Sequence, residues 1–135
     1  MKKKYAREGV ITHKFIEMMK LLNIYLNHFP KHERHAMCAN IRATAYRLYD
    51  LCTEAYKRHH KKTTLTQIDI THEQLRMQLY LAYEMGYFSF SNGAGSVGDD
   101  PPEEGHRYMA ITSLVDEFGR LIGSWITSIK NAGEW

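Results

Sequence analysis

Apolar residues recur at spacings of three and four along most of the chain, the pattern of helices that bury one face. The first stripe contains Ile11, Phe15, Met18, Leu22, Tyr25 and Phe29, and the second contains Cys38, Ile41, Ala45, Leu48, Cys52 and Ala55. The third contains Leu75, Leu79 and Ala82. The fourth contains Ile111, Leu114, Phe118, Leu121, Trp125 and Ile129, and it is widened by Val115, Ile122 and Ile126. The pattern predicts four helices and no strand.

The helices are predicted at about residues 8–29, 32–61, 69–87 and 104–130. Pro30 ends the first helix, because proline cannot continue an α-helix. Asp69 and Thr71 are both possible N-caps for the third. Residues 63–66, rich in threonine, predict a turn before it. Residues 89–103 are rich in glycine, proline and acidic groups, which predicts a flexible loop.

Four amphipathic helices in one domain of 135 residues predict an all-α, up-down-up-down four-helix bundle. The wide stripes of the second and fourth helices also suggest an oligomer. Gly119 and Gly123 lie four residues apart in the fourth helix, where each costs roughly 1 kcal/mol relative to alanine. We therefore expect another backbone to approach there, inside the bundle or between subunits. Arg120 either pairs with Asp116 or bridges that junction.

The charge is divided unevenly along the chain. Residues 1–62 carry 14 Lys and Arg against 5 Asp and Glu, a balance of +9, whereas residues 63–135 carry 4 against 10, a balance of −6. The formal net charge is +3. A concentrated basic segment is the usual footprint of a polyanionic partner, although solvated charge on a helix face explains many such segments.

The strongest candidates for contact with a polyanion are Lys57, Arg58, Lys61 and Lys62. One or two of these cations would suffice to complement the negative end of a helix dipole. Arg34, Arg42 and Arg47 belong to the same basic half and extend the candidate set. Tyr46, Tyr49 and Tyr56 follow Arg42 along one flank of the second helix. They either stack on unpaired bases or pack against a neighbouring helix or subunit, and the second interpretation is favoured.

The sequence offers no support for catalysis or for a bound cofactor. His28, His32 and His35 have spacings that would converge on one helical face, but Pro30 breaks the helix between the first two. His72-Glu73 lacks the second histidine of a zinc-protease motif. Cys38 and Cys52 lie in the apolar stripe of a helix, as buried structural cysteines do. Apolar runs are too short to span a bilayer, and no apolar core follows the N-terminal lysines. We therefore expect a cytoplasmic, non-enzymatic protein without membrane contact.

Three parts of the sequence resemble the accessory variability determinant proteins of diversity-generating retroelements. They are Phe29-Pro30-Lys31 at the end of the first helix, Glu33-Arg34 and Ile41-Arg42 near the start of the second, and Gly119-Arg120-Leu121-Ile122-Gly123-Ser124-Trp125 in the fourth. The resemblance covers about residues 12 to 130. Ribosomal intervening-sequence proteins resemble the same four-helix bundle family.

The resemblance implies a non-catalytic accessory protein. Such proteins are four-helix bundles that assemble into a barrel-shaped homopentamer, bind RNA or DNA through basic surface, and associate with the reverse transcriptase of the element during mutagenic copying of a template RNA. It also implies a structural role for Gly119, Arg120, Gly123 and Trp125. The alternative is an oligomeric bundle of the intervening-sequence type that acts as a protein scaffold. A small metal-dependent helical enzyme is a third hypothesis, which stoichiometric metal in the purified protein would support.

Overall fold

The computed structural model describes residues 2–90 and 101–135, with the side chains of residues 7–90 and 105–135. Its helices are α1 (Lys2–Asn27), α2 (Met37–Lys57), α3 (Lys62–Glu84) and α4 (Pro101–Asn131), with a single 3-10 turn at Lys31–Glu33. The described residues contain no strand. The prediction of an all-α protein with four helices is therefore confirmed.

Each helix packs against its two neighbours in an antiparallel sense, so the helices form a closed ring of four. Four contacts establish this arrangement: Thr12 with Tyr56, Glu54 with Thr64, Tyr83 with Tyr108, and Arg7 with Ser128. Each contact joins the first half of one helix to the last half of another, or the reverse. The bundle consequently runs up, down, up and down, and the start of α1 lies at the same end as the connection between α2 and α3.

The core consists of the apolar stripes that the sequence pattern indicates. All six predicted residues of α2 and all three of α3 are buried. In α4 the buried line is Ile111, Val115, Phe118, Ile122 and Trp125. Leu114, Leu121 and Ile129, which were predicted as the centre of that stripe, are half-buried and lie on its edge. The stripe of α4 was therefore predicted in the right segment but rotated slightly on the helix.

The predicted boundary between the second and third helices is wrong. Helix α2 ends at Lys57, and α3 begins at Lys62, so residues 63–66 are helical and not a turn. Thr64 is buried and its hydroxyl donates to the Glu54 carboxylate, while Leu65 and Ile68 extend the apolar stripe of α3 toward its start. These buried contacts outweigh the modest helix propensity of threonine.

The other predicted limits shift by a few residues. Helix α1 runs from Lys2 to Asn27 and α4 begins at Pro101, whereas α3 ends at Glu84. Gly86 follows α3 with a φ of +79°, and the next amide, that of Tyr87, donates to the Ala82 carbonyl. This is a Schellman termination, which favours glycine because the left-handed conformation strains other residues. Of the predicted loop 89–103, residues 91–100 lie outside the described residues.

The two glycines of α4 have different surroundings. A Cβ on Gly119 would lie 2.5 Å from Cε1 of His72, whereas a Cβ on Gly123 would have no atom within 4 Å. The close neighbour at Gly119 is thus a side chain of α3, and the prediction of an approaching backbone inside the bundle is wrong. Gly123 is exposed. A contact at Gly123 between subunits stays a prediction.

Candidate nucleic-acid interface

The basic cluster of the sequence lies at the end of the bundle where α1 and α3 begin and α2 and α4 end. Lys57 ends α2, Arg58 and Lys61 belong to the connection, and Lys62 begins α3. Arg7 of α1 joins them, because the antiparallel arrangement brings the start of α1 to this end. We call these five residues the basic end. Sequence reasoning missed Arg7, although the predicted topology alone was sufficient to place it here.

A groove of about 740 Å³ opens at the basic end. Arg7, Lys57, Arg58 and Lys61 line it together with His59, His60 and the last residues of α4. Its acidic lining residues are Glu8 and Glu134. Basic side chains from three separate segments therefore surround one concave surface.

The cations of the basic end differ in what they contact. Lys57, Arg58 and Lys62 are exposed. Arg58 lies 3.6 Å from the Glu54 carboxylate, an exposed pair of little energetic weight. The Lys62 ammonium lies 5.9 Å from the centre of the Trp135 ring. These three side chains project from the surface where a polyanion can reach them.

Lys61 has a structural role. Its ammonium donates to the carbonyl of Ala55 and, at 2.7 Å, to the carbonyl of Arg58, so it satisfies acceptors at the end of α2. It also lies 5.9 Å from the centre of the buried Trp125 ring. A cation in this place complements the negative end of the helix dipole. The contacts of Lys61 therefore fit the second interpretation of the basic cluster, in which a cation stabilises the C-terminal end of a helix.

The remaining basic candidates do not join the basic end. Arg34 and Arg42 line a groove of about 310 Å³ near the start of α2. Arg47 is exposed on the surface of α2. Helix α2 has 21 residues, which separates its ends by about 30 Å. The guanidinium of Arg42 donates to the side chains of Asn23 and Asn27 at 3.1 and 2.7 Å. The predicted basic residues therefore do not form a single cluster, because Arg34, Arg42 and Arg47 lie away from the basic end.

The three tyrosines of α2 also differ. Tyr46 and Tyr49 are 54% and 40% exposed, whereas Tyr56 is half-buried. The Tyr56 hydroxyl lies 3.0 Å from the Thr12 hydroxyl, and burial raises the pKa of Tyr56 to about 12. Its ring lies 5.7 Å from that of Trp125, centre to centre. Packing against neighbouring helices thus accounts for Tyr56 but leaves much of Tyr46 in solvent.

Of the predicted structural residues in α4, Gly119 and Trp125 have contacts within the chain. Trp125 is buried against Tyr56, and Gly119 accommodates the ring of His72. Arg120 is exposed and forms no ion pair with Asp116 among the described side chains. Arg120 and Gly123 accordingly face outward, where a second subunit could contact them.

Both cysteines of the described chain are free and buried. Burial raises the pKa of the Cys38 thiol, and it raises that of Cys52 to about 12, so both thiols stay protonated at neutral pH. Within residues 7–90 and 105–135, no group of three His, Cys, Asp or Glu side chains is placed to hold a metal ion. Among the helices described, none has the length and apolar character needed to cross a membrane.

Comparison with known families identifies a family that the chain matches. A family model described as bAvd-like matches residues 9–96, which is more than half of the chain. The matched range includes α2, α3 and most of the basic end, and it stops before α4, so the segment from Gly119 to Trp125 lies outside it. No curated protein and no solved structure matches the chain.

Proposed function

We propose that this chain, which belongs to the bAvd-like family of accessory variability determinants, is the non-catalytic accessory protein of a diversity-generating retroelement. In this role it binds nucleic acid and the reverse transcriptase of the element during mutagenic copying of template RNA. Family membership supports the accessory role. The observation that carries the nucleic-acid part is the basic end, because it gathers cations from several segments around one groove.

The basic end suits phosphate groups better than a small anion. Arg7, Lys57 and Arg58 line a groove of about 740 Å³, Arg7 half-buried and the other two exposed. Lys62 is exposed next to them in the chain. Cations spread over such a surface neutralise successive phosphates of a strand and release its counterions. Binding of this kind depends on charge and not on sequence.

Salt titration of RNA binding tests this proposal. A labelled RNA is titrated by fluorescence anisotropy at several salt concentrations with the wild-type chain and with Lys57→Gln/Lys62→Gln. Lys61 stays unchanged because of its contacts with α2. Each lost phosphate contact makes the negative slope of log K against log salt shallower by about 0.7–0.9. The slope of the double variant should therefore be shallower by roughly 1.5. Arg76→Gln, on the outer face of α3, should leave the slope unchanged.

Two results would remove the nucleic-acid part of the proposal. The first is no measurable binding of RNA or of an RNA–DNA hybrid by the wild-type chain even at low salt. The second is an unchanged affinity and slope in Lys57→Gln/Lys62→Gln. If the chain nevertheless assembles and binds a protein partner, the scaffold alternative takes its place.

Assembly into a barrel-shaped homopentamer belongs to the same proposal. Helix α3 exposes Ile70, Met77, Leu81 and Met85 to between 47% and 53%, opposite its buried stripe. Exposed apolar groups in a row are typical of interaction surfaces. Light scattering should give a mass five times that of the 15.8 kDa chain. Met77→Glu should lower this mass, whereas Met109→Glu, on α4, should not; equal behaviour of the two variants would contradict a role for this face.

The reverse transcriptase is proposed as partner from family membership. A reverse transcriptase encoded next to the gene, with a template repeat beside it, would be the natural candidate. Co-expression of the two proteins followed by size-exclusion chromatography should give a single complex. Separate elution in the absence and in the presence of template RNA would contradict this part of the proposal.

A further inference from the structure

A row of side chains on one flank of α2 leads away from the basic end, and all but the half-buried Arg42 are exposed. Arg42, Tyr46, Tyr49, Thr53 and Lys57 follow one another at spacings of three and four, so they lie on one flank of the helix. We call them the α2 tyrosine row. It extends for about 22 Å, given the rise of an α-helix. Its last member, Lys57, belongs to the basic end, so the two surfaces are continuous.

The two tyrosines in the middle of the row are exposed to solvent. Tyr46 is 54% exposed. Tyr49 is 40% exposed, and its ring contacts that of Phe15 with 5.1 Å between centres. This contact holds the ring of Tyr49 in place while leaving part of it in solvent. Tyrosine usually buries its ring and exposes only its hydroxyl, so two such rings one turn apart need an explanation.

Tyr46 stands between two grooves. One, of about 250 Å³, runs between α1 and α2 and is lined by Lys20. The other, of about 410 Å³, lies on the opposite side of Tyr46 and is lined by Arg47. Asp50 and Glu54 line the same second groove, so Arg47 is accompanied there by two carboxylates, whereas Lys20 is the charged residue that lines the first groove. A flat group can therefore enter beside the Tyr46 ring, with a cation within reach on either side.

We propose that the α2 tyrosine row binds single-stranded nucleic acid, with unpaired bases stacked on Tyr46 and Tyr49 and phosphates next to Lys20, Arg47 and Lys57. The inference rests on the proposed nucleic-acid function and specifies its ligand class. Aromatic platforms flanked by cations are the usual means of binding unpaired strands, since every base has a face that stacks. A duplex keeps its bases stacked on one another. The basic side chains favour a polyanion over a second copy of the chain as the occupant.

The test compares four variants on two ligands of equal length, a single-stranded oligo(U) and an RNA duplex. Tyr46→Ala and Tyr46→Ala/Tyr49→Ala should weaken binding of oligo(U) by about tenfold or more, in keeping with the loss of stacked bases. Duplex affinity should change by less than about twofold. Tyr46→Phe retains the ring and should bind as the wild type does. Tyr80→Ala is the matched control, because Tyr80 is 42% exposed on α3.

The outcomes separate this inference from the proposed function. If the wild-type chain binds neither ligand, the proposed function fails and the inference fails with it. If the wild type binds both ligands and the tyrosine variants bind oligo(U) as tightly as Tyr80→Ala does, the inference alone is overturned. A change of oligomer mass in Tyr46→Ala with unchanged affinity also overturns it and assigns the row to a contact between subunits. Circular dichroism of each variant establishes that the fold is retained.

Discussion

The imidazole of His72 occupies the space that a side chain at Gly119 would need. The ring atoms Cε1 and Nε2 lie 2.5 and 2.7 Å from the position of a Cβ at residue 119. Nε2 lies 2.8 Å from the Val115 carbonyl, which can only accept, so Nε2 carries a proton and donates. The hydrogen bond from His72 to Val115 thus joins α3 to α4, and the imidazole that forms it lies against Gly119, where a larger residue would have to displace it.

Gly119→Ala should destabilise the bundle. Displacing His72 costs about 1–3 kcal/mol by overpacking, and the better helix propensity of alanine returns about 1 kcal/mol. We expect a net loss of up to about 2 kcal/mol in the free energy of unfolding by urea. Gly123→Ala, the matched control, has open space around its Cβ and should be neutral or stabilising. In a His72→Ala background the cost of Gly119→Ala should disappear; its persistence would contradict the steric explanation.

Gly123→Leu should separate folding from assembly. The protomer has room for the leucine, since a Cβ there has no neighbour within 4 Å. Helicity by circular dichroism should therefore be retained. If Gly123 lies in a contact between subunits, the larger side chain should lower the mass measured by light scattering. An unchanged mass and an unchanged unfolding midpoint would eliminate close approach at this glycine.

Lys61→Ala should destabilise the protein, because its ammonium satisfies carbonyls at the end of α2. Cations at helix C-termini contribute about 0.3–1 kcal/mol, with larger values where they are partly buried. The neighbouring Lys62 is exposed and supplies the comparison. Thermal unfolding should place the Lys61→Ala midpoint below that of Lys62→Ala. Coincident midpoints would show that the capping contacts contribute nothing.

Protonation of Glu33 should lower the stability of the protein at acidic pH. Its carboxylate accepts a hydrogen bond of 2.7 Å from the Tyr87 hydroxyl, which lowers the pKa of Glu33 below its usual value of 4.5. A lowered pKa in the folded state means that the stabilisation is present above pH 4.5 and is lost as the pH falls through the lowered value. Glu33→Gln and Tyr87→Phe should both be less stable than wild type at pH 7. The differences should shrink on acidification, and a gap independent of pH would contradict this coupling.

The sequence was sufficient for the fold because the apolar stripes are long and regular. It was insufficient at the connection between α2 and α3. There Thr63 and Thr66 indicated a turn, but the buried contact of Thr64 with Glu54 extends the helix, and this contact is tertiary. The glycine pair shows the same limit. The pattern located Gly119 and Gly123 in one helix, yet only the position of His72 on the neighbouring helix distinguishes them.

The candidate interface was predictable in part. Lys57 and Lys62 were identified from charge alone, and their exposure fits that assignment. Arg7 required the topology, since it lies near the start of α1, far from Lys57 along the chain, and reaches the groove only because the helices are antiparallel. Lys61 differs from its neighbours because its side chain donates hydrogen bonds to backbone carbonyls, and such contacts cannot be inferred from composition.

The most direct test of the account locates RNA on the protein. The chain is irradiated with ultraviolet light in complex with a uridine-rich RNA, and the cross-linked peptides are identified by mass spectrometry. We expect cross-links in residues 57–62 of the basic end and at Tyr46 and Tyr49 of the α2 tyrosine row, and a loss of those at 57–62 in Lys57→Gln/Lys62→Gln. Cross-links confined to the outer faces of α3 and α4, at RNA concentrations that saturate binding, would contradict the account.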